Sequence, residues 1–375
     1  MGWGGPISHQ EIVLTASNEW QTFDVNSLYG VPADATGIVI VLHISATGSG
    51  RYVGVRPKGS SDETYYDYTN RPYCQIISKI GTDSSIEVKS EVYTDMMLYA
   101  VWYFGDEAHF LATPTTESLG TPGSFEEIDI TTHVQGEDTA VAALAMPHYT
   151  GDFASSYRVH MRPKGNTRDV GTLVNSGYSA MVPVDAGEIF DFYRSNTNIG
   201  LRILGYIKSD SGWAFTITPT VTNNLTANDT YTDLTSHSGK TAACYMTSAT
   251  DSSQYFFGIR KNGTSVDDAH YPSGRAESWY VVELDGTGTA EAMLGSAATS
   301  TVTVFTFGTW EEPGVLPLYD GTIDQSPTGI AKNTYVKIAT VAPTDDTLTV
   351  TISAEGSDPG DVVVADNVGI TLATP

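Results

Sequence analysis

Six basic side chains draw the eye because positive charge is scarce: the chain carries 19 Lys and Arg against 44 Asp and Glu, a formal net charge of −25. They come in three phrases, RPKGS from Arg56, RPKGN from Arg162 and RKNGT from Arg260, with the arginines 106 and 98 residues apart. Arg56, Lys58, Arg162, Lys164, Arg260 and Lys261 could pair with acids of a neighbouring domain or subunit, arginine being the better bidentate partner. The competing reading is a hairpin whose charges stay in water, where exposed pairs contribute little. Gly59, Gly165 and Gly263 are expected at a turn position of positive φ. A second chemistry is aromatic. TYYDYTNRPY from Thr64 reads as a loop, and Tyr65, Tyr66, Tyr68 and Tyr73 offer it apolar faces with a polar handle, suited to sugars and protein interfaces.

Groups for catalysis or metal binding do not fall into such patterns. HExxH, CxxC and the DxDxDG loop are absent, and the eight histidines are scattered singly. A glycosidase needs two carboxylates fixed across a cleft. The acids placed by the repeat, Asp24, Asp129 and Asp233, are better explained by a shared structural duty such as holding a turn than by three identical active sites. The pairs Asp62–Glu63, Asp267–Asp268 and Asp345–Asp346 could offer oxygen ligands to a structural Ca²⁺, with solvated loops as the default. No catalytic residue, metal ligand or cofactor is assigned, and the expectation is a protein that is not an enzyme.

The elements behind these residues repeat. WQTFDV from Trp20, FEEIDI from Phe125 and YTDL from Tyr231 place Asp24, Asp129 and Asp233 at 105 and 104 residues apart, and the closing aromatics Phe104, Tyr206 and Phe307 at 102 and 101. Three landmarks with one order and one period mean three copies of one unit. Within a copy, β-branched and aromatic runs such as GIVIVLHI (Gly37 to Ile44), RYVGVR (Arg51 to Arg56) and the run from Met97 to Phe104 are bounded by Gly, Ser, Asp, Asn and Pro, the grammar of short strands. Helical periodicity is almost absent. The expected fold is all-β: three tandem β-sandwich domains of about 100 residues, jelly-roll or Ig-like, each with its own core, over residues 1–112, 113–222 and 223–312. Residues 313–375 would be a linker and a small C-terminal β-domain, or a module that docks by completing a sheet with another chain.

Charge and targeting narrow the setting. The acid excess opposes binding to phosphate backbones or anionic lipid, leaving cations, neutral sugars and other proteins. The apolar runs are under half the roughly 20 residues that span a bilayer, and the start MGWGGPISHQE lacks the features of a secretory signal. Cys74 and Cys244 sit at unlike positions in their copies and are read as free thiols.

One stretch resembles a known family. From Gly30 to Ser60, the opening residues Val31, Pro32, Ala33, Ala35 and Thr36 and the turn residues Tyr52, Val55, Arg56, Pro57, Gly59 and Ser60 resemble β-sandwich repeats of phage virion proteins and bacterial surface proteins. Gly205, Tyr206 and Ile207 match their closing strand in the second copy. The resemblance implies a fold and a place on the outside of a particle, and no catalytic residue. The absence of a signal favours a virion protein of a tailed phage or archaeal virus, made in the host cytoplasm and carried on the virion surface. Capsid decoration or a head or tail fibre or spike is expected, with copies of itself and other virion proteins as partners. A host-attachment adhesin binding a glycan is the alternative, and a β-scaffold glycoside hydrolase a second one.

Overall fold

The computed structural model describes residues 3–44, 51–69, 73–150, 157–166, 179–226, 229–249, 257–264, 279–295 and 301–311. All belong to the compact unit Met1–Pro313. What was expected of 313–375, the small C-terminal β-domain and its docking role included, lies outside the described residues, as do Asp267, Asp268, Asp345 and Asp346.

The protein is all-β, made of six small antiparallel sheets. The first copy supplies β1 (Gly5–Glu11), β2 (Gln21–Asp24), β3 (Gly37–Ile44), β4 (Arg51–Pro57), β5 (Tyr66–Thr69), β6 (Tyr73–Lys79), β7 (Ser85–Ser90) and β8 (Met96–Phe104). One sheet has the order β1-β8-β3-β6 and its companion β2-β7-β4-β5, so the chain passes back and forth between two sheets. The second copy runs through β9 (Ala108–Thr116), β10 (Phe125–Asp129), β11 (Ala140–Tyr149), β12 (Val159–Pro163), β13 (Ala180–Pro183), β14 (Ile189–Arg194) and β15 (Ile199–Lys208). Its sheets are β13-β11-β15-β9 and β10-β14-β12. The third holds β16 (Trp213–Leu225), β17 (Thr232–Asp233), β18 (Ala242–Ala249), β19 (Phe257–Lys261), β20 (Trp279–Glu283), β21 (Ala290–Leu294) and β22 (Val302–Trp310), in sheets β16-β22-β18-β20 and β17-β21-β19.

Side-chain pattern explains the strands. In β8, Met96, Leu98, Ala100, Trp102 and Phe104 are buried and the residues between them half-buried, the period of two that a strand imposes. β11 and β15 are buried almost throughout, as expected of strands covered on both faces. The one α-helix among the described residues, α1 (Val25–Tyr29), is a single turn: Asp24 caps its start by accepting from the amides of Asn26 and Ser27, both at 3.0 Å, and Gly30 ends it at φ 68°. In the second copy Asp129 accepts the amide and hydroxyl of Thr131 at 2.9 and 2.6 Å. These two acids hold turns, as the repeat suggested. Gly59, Gly165 and Gly263 have φ of 81°, 76° and 76°, so the expected turn glycines are there.

Two expectations shift. β9 pairs with β15 and β16 with β22, which puts residues 108–112 and 213–222 in the copy after the one expected for them. The cores are also not separate. One apolar cluster runs through the first and second copies and into the third through Trp213, Trp279, Phe307 and Trp310, while a second, with Tyr245, Phe257 and Tyr280, lies mostly in the third and takes in Val41 of the first. The sheets β1-β8-β3-β6, β13-β11-β15-β9 and β16-β22-β18-β20 meet one another where the copies join. Trp102 meets Trp310 edge to face at 5.2 Å and Trp213 at 5.9 Å.

The first strand of each copy is an edge strand with the same irregularity. Pairing breaks between Pro6 and Gln10 in β1, between Phe110 and Thr115 in β9, and between Phe215 and Thr220 in β16. Pro6, Pro114 and Pro219 lie in or beside these bulges.

Candidate recognition surface

Each arginine of the three phrases is built into the same clasp. Arg56 on β4 faces Glu87 on β7 across the sheet and donates Nε to Oε2 at 2.8 Å; its guanidinium lies 3.9 Å from the centre of the Trp20 ring. Arg162 on β12 faces Asp191 on β14 at 3.1 Å and stacks on Phe125 at 3.5 Å. Arg260 on β19 faces Glu291 on β21 at 2.6 Å and stacks on Tyr231 at 3.6 Å. Charge pairing and cation–π contact act on one group. The lysines pair nearby: Lys58 with Asp83 at 2.5 Å, Lys164 with Glu127 at 3.0 Å and Lys261 with Glu283 at 2.5 Å. All these partners lie in the same copy as the cation. The antiparallel register sets each arginine directly opposite its acid.

Contacts between copies join Asp62 and Tyr65 to residues the sequence did not single out. Arg202 on β15, 4% exposed, bonds to Asp62 and Thr64 of the first copy and lies 5.1 Å from the ring centre of Tyr65. Burial raises the Asp62 carboxyl, and the bonds from Thr64 and Arg202 outweigh it and hold the group below its ordinary range. The buried His148 lies beside them, pushed down to about 4 by burial and by the Arg202 charge. Asp67 accepts the amide of Tyr149 at 2.8 Å. Gln75 on β6 ties the other copies in: its carbonyl accepts the Ser179 amide at 3.1 Å and its side-chain oxygen the Val281 amide at 3.0 Å. There the edges β6, β13 and β20 close on a gap of about 10 Å³, room for one water and no ligand.

The four tyrosines do not form one loop, because TYYDYTNRPY crosses between sheets. Tyr65 closes a 3₁₀ turn, Glu63–Tyr65, and is buried at the junction with the second copy, its phenol pushed up to about 12 by burial. Tyr68 lies on β5 and Tyr73 on β6, which belong to different sheets; their side chains are outside the described residues. Tyr66 enters an outer cluster instead. Its ring is 5.6 Å from Tyr52 and 6.3 Å, edge-on, from Trp20; Lys89 Nζ lies 4.2 Å from its centre, and its hydroxyl donates to Asn18 at 3.1 Å. Glu63 accepts from Trp20 Nε1 at 2.8 Å and pairs with Arg56 and Lys89. Gly54 makes the arrangement possible, since a Cβ there would lie 2.8 Å from the Trp20 ring. Tyr52, 40% exposed, is the outermost ring.

This settles one acidic pair: Asp62 and Glu63 are engaged by Arg202 and by Arg56 and Lys89, which leaves no paired oxygens for the Ca²⁺ considered above. No group of three His, Cys, Asp or Glu suited to a metal occurs among the described residues. Cys244 is a free, buried thiol.

No protein-family model matches the sequence. No curated protein matches it. Among solved structures, the N-terminal CBM22-1-CBM22-2 tandem domain of Paenibacillus barcinonensis Xyn10C is similar at 11% identity, covering 83% of this chain and 93% of that one with a TM-score of 0.17. A TM-score that low carries no argument about fold or ligand.

Proposed function

We propose that this chain is a non-enzymatic structural protein of a virus particle, a capsid decoration or a fibre or spike component displayed on the virion surface, working by assembly with its own copies and other virion proteins. Its described part is read as three tandem jelly-roll sandwiches. Supporting that reading, the orders β1-β8-β3-β6 and β2-β7-β4-β5 interleave along the chain, as two Greek keys do. Six sheets are also the number in a six-bladed propeller, but a propeller blade is a run of consecutive strands, and none of these sheets is one.

The observation that carries the functional proposal is the threefold clasp. An arginine, an acid and an aromatic recur at one register in each copy, and the arginine holds both the others. Duplication has preserved a device for stiffness. Light scattering and electron microscopy of the purified chain test the proposal: a defined oligomer at micromolar concentration is expected, and a stable monomer that hydrolyses polysaccharides or esters overturns it.

A glycan-binding host-attachment role is the second reading, favoured by the exposed Tyr52 beside Tyr66 and Trp20. Against it, Arg56 covers Trp20 and Lys89 covers Tyr66, where a sugar would stack. A glycan array separates the two: saturable binding lost in Tyr52→Ala favours attachment, and no binding favours decoration.

A further inference from the structure

Glu107 is fully buried between β8 and β9 with no basic side chain within ion-pair distance among the described residues. Its Oε2 accepts the amides of Gly4 and Gly105 at 2.8 and 2.9 Å, while Oε1 is buried without a partner. A Cβ at position 4 would lie 1.8 Å from Oε1 and 2.4 Å from the Tyr103 carbonyl, so the carboxyl and the start of β1 fit only because residue 4 is glycine. The strand it holds is weakly tied: β1 pairs with β8 at four positions, two on each side of its bulge. It nevertheless buries Ile7, and the chain just beyond it buries Ile12, whose amide donates to the Leu98 carbonyl at 2.7 Å.

We propose that Glu107 is a proton-operated latch on the amino-terminal strand. Protonated, the carboxyl stays in its apolar seat and β1 lies on β8; on losing its proton to solvent, the carboxylate gains by reaching water, and β1 lets go from the Gly4 end. The move uncovers the β8 edge and the apolar surface under Ile7. No covalent bond changes. Burial outweighs the two amide bonds and raises the carboxyl to about 7, with Asp106 adding to the rise. The other ionisable groups on the surrounding elements are His9 and Glu11 on β1, Tyr99 and Tyr103 on β8, His109 on β9, and Arg202, Tyr206 and Lys208 on β15; the Lys208 amide donates to the Glu107 carbonyl at 2.9 Å. The latch does not depend on the assembly role proposed above.

Between the ordinary glutamate pKa and about 7, the docked strand holds a proton that the released strand does not, so docking weakens about tenfold per pH unit and levels off above that window. Hydrogen exchange of residues 4–11, corrected for intrinsic rates and expressed relative to β3, reads this directly. Protection should fall about 40-fold from pH 5 to pH 7 in the wild type and stay level in Glu107→Gln. A level wild-type ratio, or an equal fall in the variant, overturns the latch. Should Glu107→Gln fail to fold, the ¹³C carboxyl titration of Glu107 in the wild type decides: a midpoint at the ordinary glutamate value refutes the proposal, and one coinciding with the loss of β1 protection supports it.

Discussion

Acid should weaken the seam between the first two copies, and His148 sets how much. Its imidazole is buried beside Arg202 and depressed to about 4, against about 6.5 in an unfolded chain. Between those values the unfolded chain binds a proton that the folded protein refuses, so stability is complete above pH 6.5 and falls as pH drops towards 4. The shift corresponds to about 3 kcal/mol over the whole window, and to about 2 kcal/mol between pH 7 and 4.5. Glu107 has the opposite slope over much of this range, because its folded pKa is raised, so the wild-type curve alone understates the effect. Subtraction removes that contribution. Urea unfolding of wild type and His148→Gln at pH 7 and 4.5 should show the wild type losing about 2 kcal/mol more than the variant. Parallel losses would refute the placement of an unprotonated imidazole against the buried guanidinium.

Asp62→Ala should cost about 3–5 kcal/mol, because it strands the Arg202 charge in a site 4% exposed; adding Arg202→Met should restore much of the loss, as denaturant midpoints will show. At the turns, Gly59→Ala should cost about 1 kcal/mol from its φ of 81° alone, since nothing lies within 4 Å of the added carbon. The converse change, Ser84→Gly at φ 57°, should gain up to about 1 kcal/mol, visible as a higher melting temperature.

How much of this could be read beforehand depends on whether the cause is local. GIVIVLHI became β3 with the expected limits and RYVGVR became β4 with one residue more, because β-branched content and bounding turn residues act over a few positions. Trp20, Phe125 and Tyr231 opened the repeated phrases, and the arginines anchored the turns, so two parts of each clasp were in view. The third, Glu87, Asp191 and Glu291, needs cross-strand register, which no single strand declares. β9 and β16 were missed because LATPTTES and FTITPTVT carry proline and exposed threonine, signals that argue against a strand. Arg202 and Gln75 were invisible for a different reason: they act between copies, and their packing is not written in the repeat. The shared core follows from the same fact, since apolar strands record that a face is covered but not by what.

The prolines and bulges of β1, β9 and β16 bear on how the molecule can meet others of its kind. A flat strand edge zips onto another edge through its backbone and invites open-ended stacking into fibrils. Here each copy breaks that edge beside a proline, which kinks it and removes a donor, so backbone-to-backbone pairing is interrupted at all three of these edges. These three edges are thereby poor templates for open-ended backbone zipping, and an approaching strand would meet a kink in each of them.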